Sequence, residues 1–406
     1  MNDIHMLNFH FSNENFGAVM VPYSLKRVLN NFSLEAQCIN FIPDGYNVTH
    51  NQFDKFRKEF LNVGPRVSTF CSLRTEYSSV DKILVGSDQV FRQGIDSPYF
   101  CEWVVGKKLV FSYAASFAVS SFVGCNNSKE KKKYLLSRFD AHSVRESSGV
   151  DIMKNTFGLD AVQVLDPTLL LNSEDYQPII DSEECSQPEK YVGVMFLDDE
   201  HWEEFRASAL YRRLSRDYEI VDIVKDEQGE FRSVPQWLSY IKHASLMITD
   251  SFHGTVFSTI YKKQFITRAT ASRGNARLES LCRTLDIPLS RFYARFDEKD
   301  DTQFDTPLDF TPVWKRIEEE RLVSLDYLTR SLAMEPKEKE FIPFRRDKLA
   351  LPVLTIEERE HEKRLLLFGC LPVVSKPDKG NTLYLFGKIP FSREAVAAIK
   401  RKILGR

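Results

Sequence analysis

"SLMITDSFHGTVFSTIYKK", residues 245–263, decides how this chain is read. Ser245 to Thr249 is a short apolar run with the character of a buried strand. Asp250 to Gly254 interrupts it, and Thr255 to Lys263 then spaces its apolar residues as a helix does. His253 therefore falls where a strand ends and a helix begins. In open α/β sheets ligands bind at that edge, and the free N–H groups and dipole of a helix N-terminus favour an anion there. Asp250 or Ser251 would equally act as a helix N-cap, and His253 as a buried structural ring.

Two other segments repeat the arrangement. KILVGSDQVF (82–91) reads as a strand, a glycine turn and polar residues opening a helix, with Asp88 as cap or site residue. HSVRES (142–147) ends a strand on Arg145, which suits either a surface ion pair or a ligand contact. Ahead of an amphipathic helix, SRGNARLESL (272–281) adds Arg273, Asn275 and Arg277, types that fit phosphate or carboxylate. Facing sheets would bring these turns together.

Around them, short apolar runs alternate with helix-period segments: QCINFI, LVFSYAAS and VQVL in the first half, then YVGVMFL, YEIVDIV and QFIT. Strands alternating with helices predict parallel sheets. A polar, Glu-rich stretch (172–189) divides them. The expected fold is α/β, with two Rossmann-like domains facing a cleft, residues 1–172 on the acceptor side and 173–335 on the donor side. A length of 406 residues fits two cores.

A third region, 336–406, departs in composition. From Lys337 onward there are 16 Lys+Arg against 9 Asp+Glu, a net of +7 in a chain whose total is -2. LLLFGCLP (365–372) is echoed by LYLFGKIP (383–390), and each copy reads as a strand ended by glycine, with proline stopping further pairing. The two copies predict a small sheet or hairpin. In FSREAVAAIKRKILGR, Val396, Ile399, Ile403 and Leu404 share a helical face beside Lys400, Arg401 and Lys402. A basic amphipathic helix suits an anionic bilayer surface; folding back onto the acidic body is the alternative.

Composition excludes several classes. The near-neutral charge gives no reason to expect nucleic acid. Seven cysteines without a C-x-x-C pair argue against a zinc site or disulfide framework and for a reducing compartment. MNDIHMLNFHFSNEN lacks the character of a secretory leader. The uncharged stretch Leu109–Ser128 is long enough to raise a membrane span, but its serines favour strand and loop. A cytoplasmic protein is expected. P-loop, G-x-S-x-G, H-E-x-x-H and G-x-G-x-x-G motifs are all missing from the sequence.

Together the motifs ENFGAVM, ILVGSDQVF, FSYAASF, SVRES, VLDPTLLL and SLMITDSFHGTVFSTIYKKQFI, with NARLESL after them, resemble the polysaccharide pyruvyl transferase family over roughly residues 9 to 290. The resemblance implies a GT-B-like pair of domains. It also implies transfer of pyruvate from phosphoenolpyruvate, as co-substrate and without a further cofactor or metal, to two hydroxyls of a saccharide precursor, giving a ketal. On that basis His253 would meet the donor phosphate and move protons, while Asp88 would orient or deprotonate the acceptor. Arg145, Ser251, Gly254, Thr255, Arg273 and Arg277 would hold the donor, and Asn15, Gly17, Ser87 and Gln89 the acceptor. Some relatives place an arginine two residues before the histidine, where this chain has Ser251, and many have glycine where it has Ala118. A lipid-linked acceptor would make membrane attachment through the tail useful. The rival readings are a nucleotide-sugar glycosyltransferase and a non-catalytic carbohydrate-binding relative.

Overall fold

The computed structural model describes residues 3–92, 97–122, 126–269, 275–296 and 306–342. Beyond these it describes the strands Leu354–Arg359, Glu362–Leu367, Leu371–Pro377, Leu383–Leu385 and Ile389–Phe391.

Runs such as Ile83-Leu84-Val85 and Met247-Ile248 are apolar on successive residues, which only a strand covered on both faces can bury. They form the centres of two parallel sheets. The first runs in the order Glu35–Cys38, Asp3–Leu7, Lys82–Val85, Leu109–Ser112. Bridges from Phe111 to Ala141 and from Ala115 to Val144 link it to the parallel pair Ser143–Val144 and Val162–Gln163. The second sheet has the order Phe292–Tyr293, Gln264–Arg268, Leu246–Thr249, Tyr191–Met195, Glu219–Asp222. This is the α/β plan of two parallel-sheet halves that the alternation predicts. The first strand, DIHML, was not among the expected elements. Leu109–Ser112 is a strand, and among the described residues no helix is long and apolar enough to cross a membrane.

The halves are clasped at two places. Phe16, at the start of helix Phe16–Asn31, stacks on Trp237 of the second half at 4.7 Å between centroids. Helix Phe310–Leu332, expected in the second domain, returns to the first. Tyr327 Oη donates to the Ser112 carbonyl at 2.7 Å, and Ser324 Oγ accepts from Leu165 N at 3.0 Å.

The chain then adds Glu338–Lys339 antiparallel to Gly106–Lys107. Lys339 Nζ lies 2.6 Å from Asp140 Oδ2, with both side chains buried, and Asp140 Oδ1 also accepts from Lys337 N at 2.8 Å. Breaking a buried pair leaves a charge without a partner, at a cost of about 3–5 kcal/mol. A truncation after Pro336 should therefore lose about that much stability, whereas one after Ile342 should keep it. Urea unfolding of the two truncations checks this, and equal midpoints would show that the strap contributes nothing.

The last five strands form an antiparallel meander in chain order. Each repeat copy spans two of them, and the expectation that proline stops pairing is corrected. Pro372 pairs with Leu366 beside a shift of register, and Pro390 pairs with Tyr384 on an edge strand. Those are the places where a sheet tolerates a residue without an N–H. The expected basic helix beginning at Phe391 lies outside the described residues from residue 392 onward.

Candidate active site

The C-terminal edges of both sheets meet around Phe252 and His253. Ser251 is the N-cap of helix Phe252–Ile260, its Oγ accepting from Gly254 N at 3.4 Å, so helix begins earlier than Thr255. Asp250 is not the cap. Its carboxylate accepts from Leu197 N at 2.8 Å, Asp198 N at 3.2 Å and His201 Nδ1 at 2.7 Å. Asp198, His201 and Asp250 are close enough together to suggest a cation site. However, N–H donors already point at the Asp250 oxygens, so the triad reads as an anchor for helix Asp199–Ala207.

Three sequence-predicted residues converge. Arg145 follows the short strand Ser143–Val144 and is buried. Its Nη1 donates to Asp166 Oδ2 at 2.7 Å, and its Nη2 lies 3.5 Å from Asp88 Oδ1. His253 Nε2 stands 3.8 Å from the same Asp166 oxygen and has no hydrogen-bond partner. The Arg145 guanidinium lies over the Phe252 ring at 4.4 Å, and that of Arg277 lies 5.8 Å from the same ring. With its amide oxygen turned to accept, Gln89 meets Arg277 Nη1 at 2.9 Å.

Charges here are set by burial working against neighbours. Burial works to lower the Arg145 pKa, but Asp166, Asp88 and Glu146 overcome it and hold the guanidinium above its ordinary value. Burial would raise the Asp166 carboxyl, yet His253 and Arg145 keep it below the usual range. Burial pushes His253 below its ordinary value, partly opposed by Asp166. Arg277 is pushed down to about 10 by burial and by Arg145. Two neighbouring guanidinium groups that each disfavour the other's charge invite an anion between them.

The remaining expected residues divide. Gly17 is in the site: a Cβ there would lie 2.0 Å from His253 Nδ1, so the helix backbone passes directly over the ring. Asn15 is exposed and caps that helix through Ala18 N at 3.3 Å. Ser87 does not face the cleft, because its buried Oγ donates to the Ala114 carbonyl at 2.7 Å. Thr255 is also turned away, its hydroxyl shared between the Ser251 carbonyl at 3.1 Å and Thr267 Oγ1 at 2.8 Å. Gly254 serves packing, since a Cβ there would meet Thr249 Oγ1 at 2.2 Å. Arg273 lies outside the described residues, and Asn275 opens helix Asn275–Thr284.

Asp88 opens no helix. It bridges to Ala115 with φ +77, and its carbonyl accepts from Ser116 N at 2.9 Å. Ala118 holds φ 59, the left-handed region that glycine enters freely, and is fixed there by Glu146 Oε1 at 3.3 Å. Asp166 and Phe252, which join the site, were missed. In the sequence Asp166 stands out only as part of the motif VLDPTLLL. Between Arg145, Asp166, Phe252 and Arg277 lies a narrow crevice of about 10 Å³, backed by Leu281 and Thr284.

The sequence pattern of the family described as polysaccharide pyruvyl transferase matches residues 15–272, more than half of the chain. The chain belongs to that family. The match takes in Gly17, Asp88, Arg145, Asp166 and His253, but ends before Arg277. No match is found among curated proteins. Solved structures with a similar course include the UDP-GlcNAc 2-epimerase of Neisseria meningitidis bound to UDP-GlcNAc, with 11% identity, TM-score 0.44, and 83% of this chain and 95% of that one covered. The S. aureus MnaA–UDP structure has 12% identity, TM-score 0.45, and coverage of 84% and 100%. Medicago truncatula UGT71G1 complexed with UDP-glucose has 9% identity, TM-score 0.45, and coverage of 82% and 98%.

Proposed function

We propose that this pyruvyl transferase family member moves the pyruvyl group of phosphoenolpyruvate onto two hydroxyls of a saccharide, forming a cyclic ketal. One observation supports the reading above the others. Arg145 and Arg277 flank Phe252 at a helix N-terminus, beside the buried His253 Nε2 that no protein group pairs. A compact donor carrying phosphate and carboxylate suits two guanidinium groups.

A proton adds to the methylene carbon of the donor, leaving C2 electrophilic. One sugar hydroxyl forms a C–O bond to C2 and gives up its proton. The C2–O bond to phosphate breaks, and phosphate leaves with the electron pair. The second hydroxyl then closes the ketal and releases its proton. His253 Nε2 is the group placed to carry protons, with Asp166 at 3.8 Å to stabilise its charged form. Asp88, joined to Arg145, takes the acceptor hydroxyl. Arg277 fills the donor-binding place that Ser251 cannot.

Acceptor-dependent release of phosphate from phosphoenolpyruvate tests the reaction. Binding is checked separately: phosphoenolpyruvate at 100 times its Kd should stabilise the protein by about 2.7 kcal/mol. A larger thermal shift with UDP-sugars than with phosphoenolpyruvate would transfer the assignment to a glycosyltransferase.

A further inference from the structure

Arg277 comes from the second half of the sequence, yet its helix is held by the first. On helix Asn275–Thr284, Arg277, Ser280 and Thr284 fall on successive turns and share one face. Ser280 Oγ accepts from Ser147 N at 3.1 Å and from Gln163 Nε2 at 3.2 Å, and Thr284 Oγ1 accepts from the same Nε2 at 3.1 Å. At the guanidinium itself, the Gln89 oxygen that meets Arg277 Nη1 also meets Nη2 at 3.1 Å. Ser147, Gln163 and Gln89 all belong to the first half.

Gln163 is placed to act as a gauge. Its strand, Val162–Gln163, runs parallel to Ser143–Val144, with Gln163 opposite Val144, the residue before Arg145. Asp166, which Arg145 grips, follows on the same segment. A primary amide has two hydrogens to give, and here it serves hydroxyls on two successive turns, which fixes both the height of the helix and its rotation. Burial of the helix does not call for this arrangement, because Leu278, Leu281 and Cys282 already dock it in the core. The strand pair that carries Arg145 thus also carries the support of Arg277. Arg277 keeps station with Arg145, whereas His253 arrives separately on helix Phe252–Ile260.

We infer that Gln163 is a positioning residue: through Ser280 and Thr284 it sets the spacing of Arg145 and Arg277, and with it the affinity for the anionic donor. Gln163 need not touch the donor in this role. A guanidinium fork bonds an anion in a fixed geometry, so a displaced helix weakens binding although the charge remains. This rests on the donor-binding reading above and adds the residue that holds that site to its dimensions.

The test is calorimetric binding of phosphoenolpyruvate, and separately of inorganic phosphate, to the full-length protein. Gln163→Met keeps the volume and loses both hydrogen bonds, so both anions should bind about tenfold more weakly. Turnover at saturating donor should stay within about twofold, because the loss is one of binding alone. Thr284→Val removes one of the two bonds and should weaken binding about threefold, while Thr284→Ser keeps the hydroxyl and should bind as wild type does. In an Arg277→Ala background, adding Gln163→Met should change the Kd no further, since its effect passes through Arg277. Unchanged affinity in folded Gln163→Met, or in Thr284→Val if Gln163→Met does not fold, would overturn the inference. So would an equal further loss in the Arg277→Ala background. Phosphate that binds through Arg277 and weakens in Gln163→Met, beside phosphoenolpyruvate that neither binds nor releases phosphate, would remove the donor assignment and leave the positioning standing. A wild type that binds neither anion would overturn both.

Discussion

His253→Ala should lower acceptor-dependent phosphate release about 10²–10⁴-fold, the usual contribution of a positioned acid or base, while the protein remains folded. The ring makes no hydrogen bond through Nε2, so its removal leaves no protein donor or acceptor stranded there. The nearby charges do depend on it: His253 and Arg145 are what hold the Asp166 carboxyl low. His253→Gln keeps the volume and loses the titration, so it should be as slow as His253→Ala but no less stable than wild type. Steady-state rates and urea midpoints of the two variants separate the roles. Near-normal turnover in either folded variant would make His253 a structural ring lying under Gly17.

Acid should destabilise the protein well before its carboxylates are protonated. His10 and His142 are buried, and burial lowers both from 6.5 to about 4, with Arg57 adding to the effect at His10 and Lys337 at His142. In the unfolded chain both bind protons near pH 6.5, while the folded protein resists until about pH 4. Their stabilising contribution is thus complete above about pH 6.5 and is lost as pH falls through the window to about 4. Each histidine is worth about 3 kcal/mol across that window. Both act in the same direction, and His5 and His253, also lowered by burial, add to them. Urea midpoints at pH 7, 5.5 and 4 should fall steeply, and His142→Gln should flatten the slope. A midpoint independent of pH across this range would refute the account.

What could be read from the sequence followed from local chemistry. KILV, YVGVM and LMIT are runs that only a doubly covered strand can bury, and each is a strand. Asp3–Leu7 hid because Asp3 and His5 break its apolar run; they are its less buried positions, facing the side where the sheet is not fully covered. The turn after Val85 misled for a different reason. Polar residues after a glycine look like a helix start, but Asp88 takes a left-handed backbone and pairs across to Ala115. In the site, Arg145, Asp88 and His253 were visible as polar residues at strand ends. Asp166 had the same position in VLDPT, but its meaning is tertiary. It becomes a shared countercharge only when Arg145 and His253 arrive from 21 residues behind and from the other sheet. Thr255 and Ser87 misled because hydroxyls near a cleft need not point into it.

Helix Phe310–Leu332 gives the molecule an order of assembly. The strands of the first sheet leave the ribosome early, but the N–H of Leu165 finds its partner only on Ser324, and the carbonyl of Ser112, already met by Ser143 Oγ, gains Tyr327 Oη only then. Asp140, which already accepts from Val110 N, gains its buried countercharge later still, from Lys339. The first half to be synthesised is therefore the last to be completed. While the second half emerges, the first must persist as an unfinished sheet with exposed apolar surface, the kind of species that chaperones hold. A nascent chain stalled short of residue 340 carries that half in its most vulnerable form.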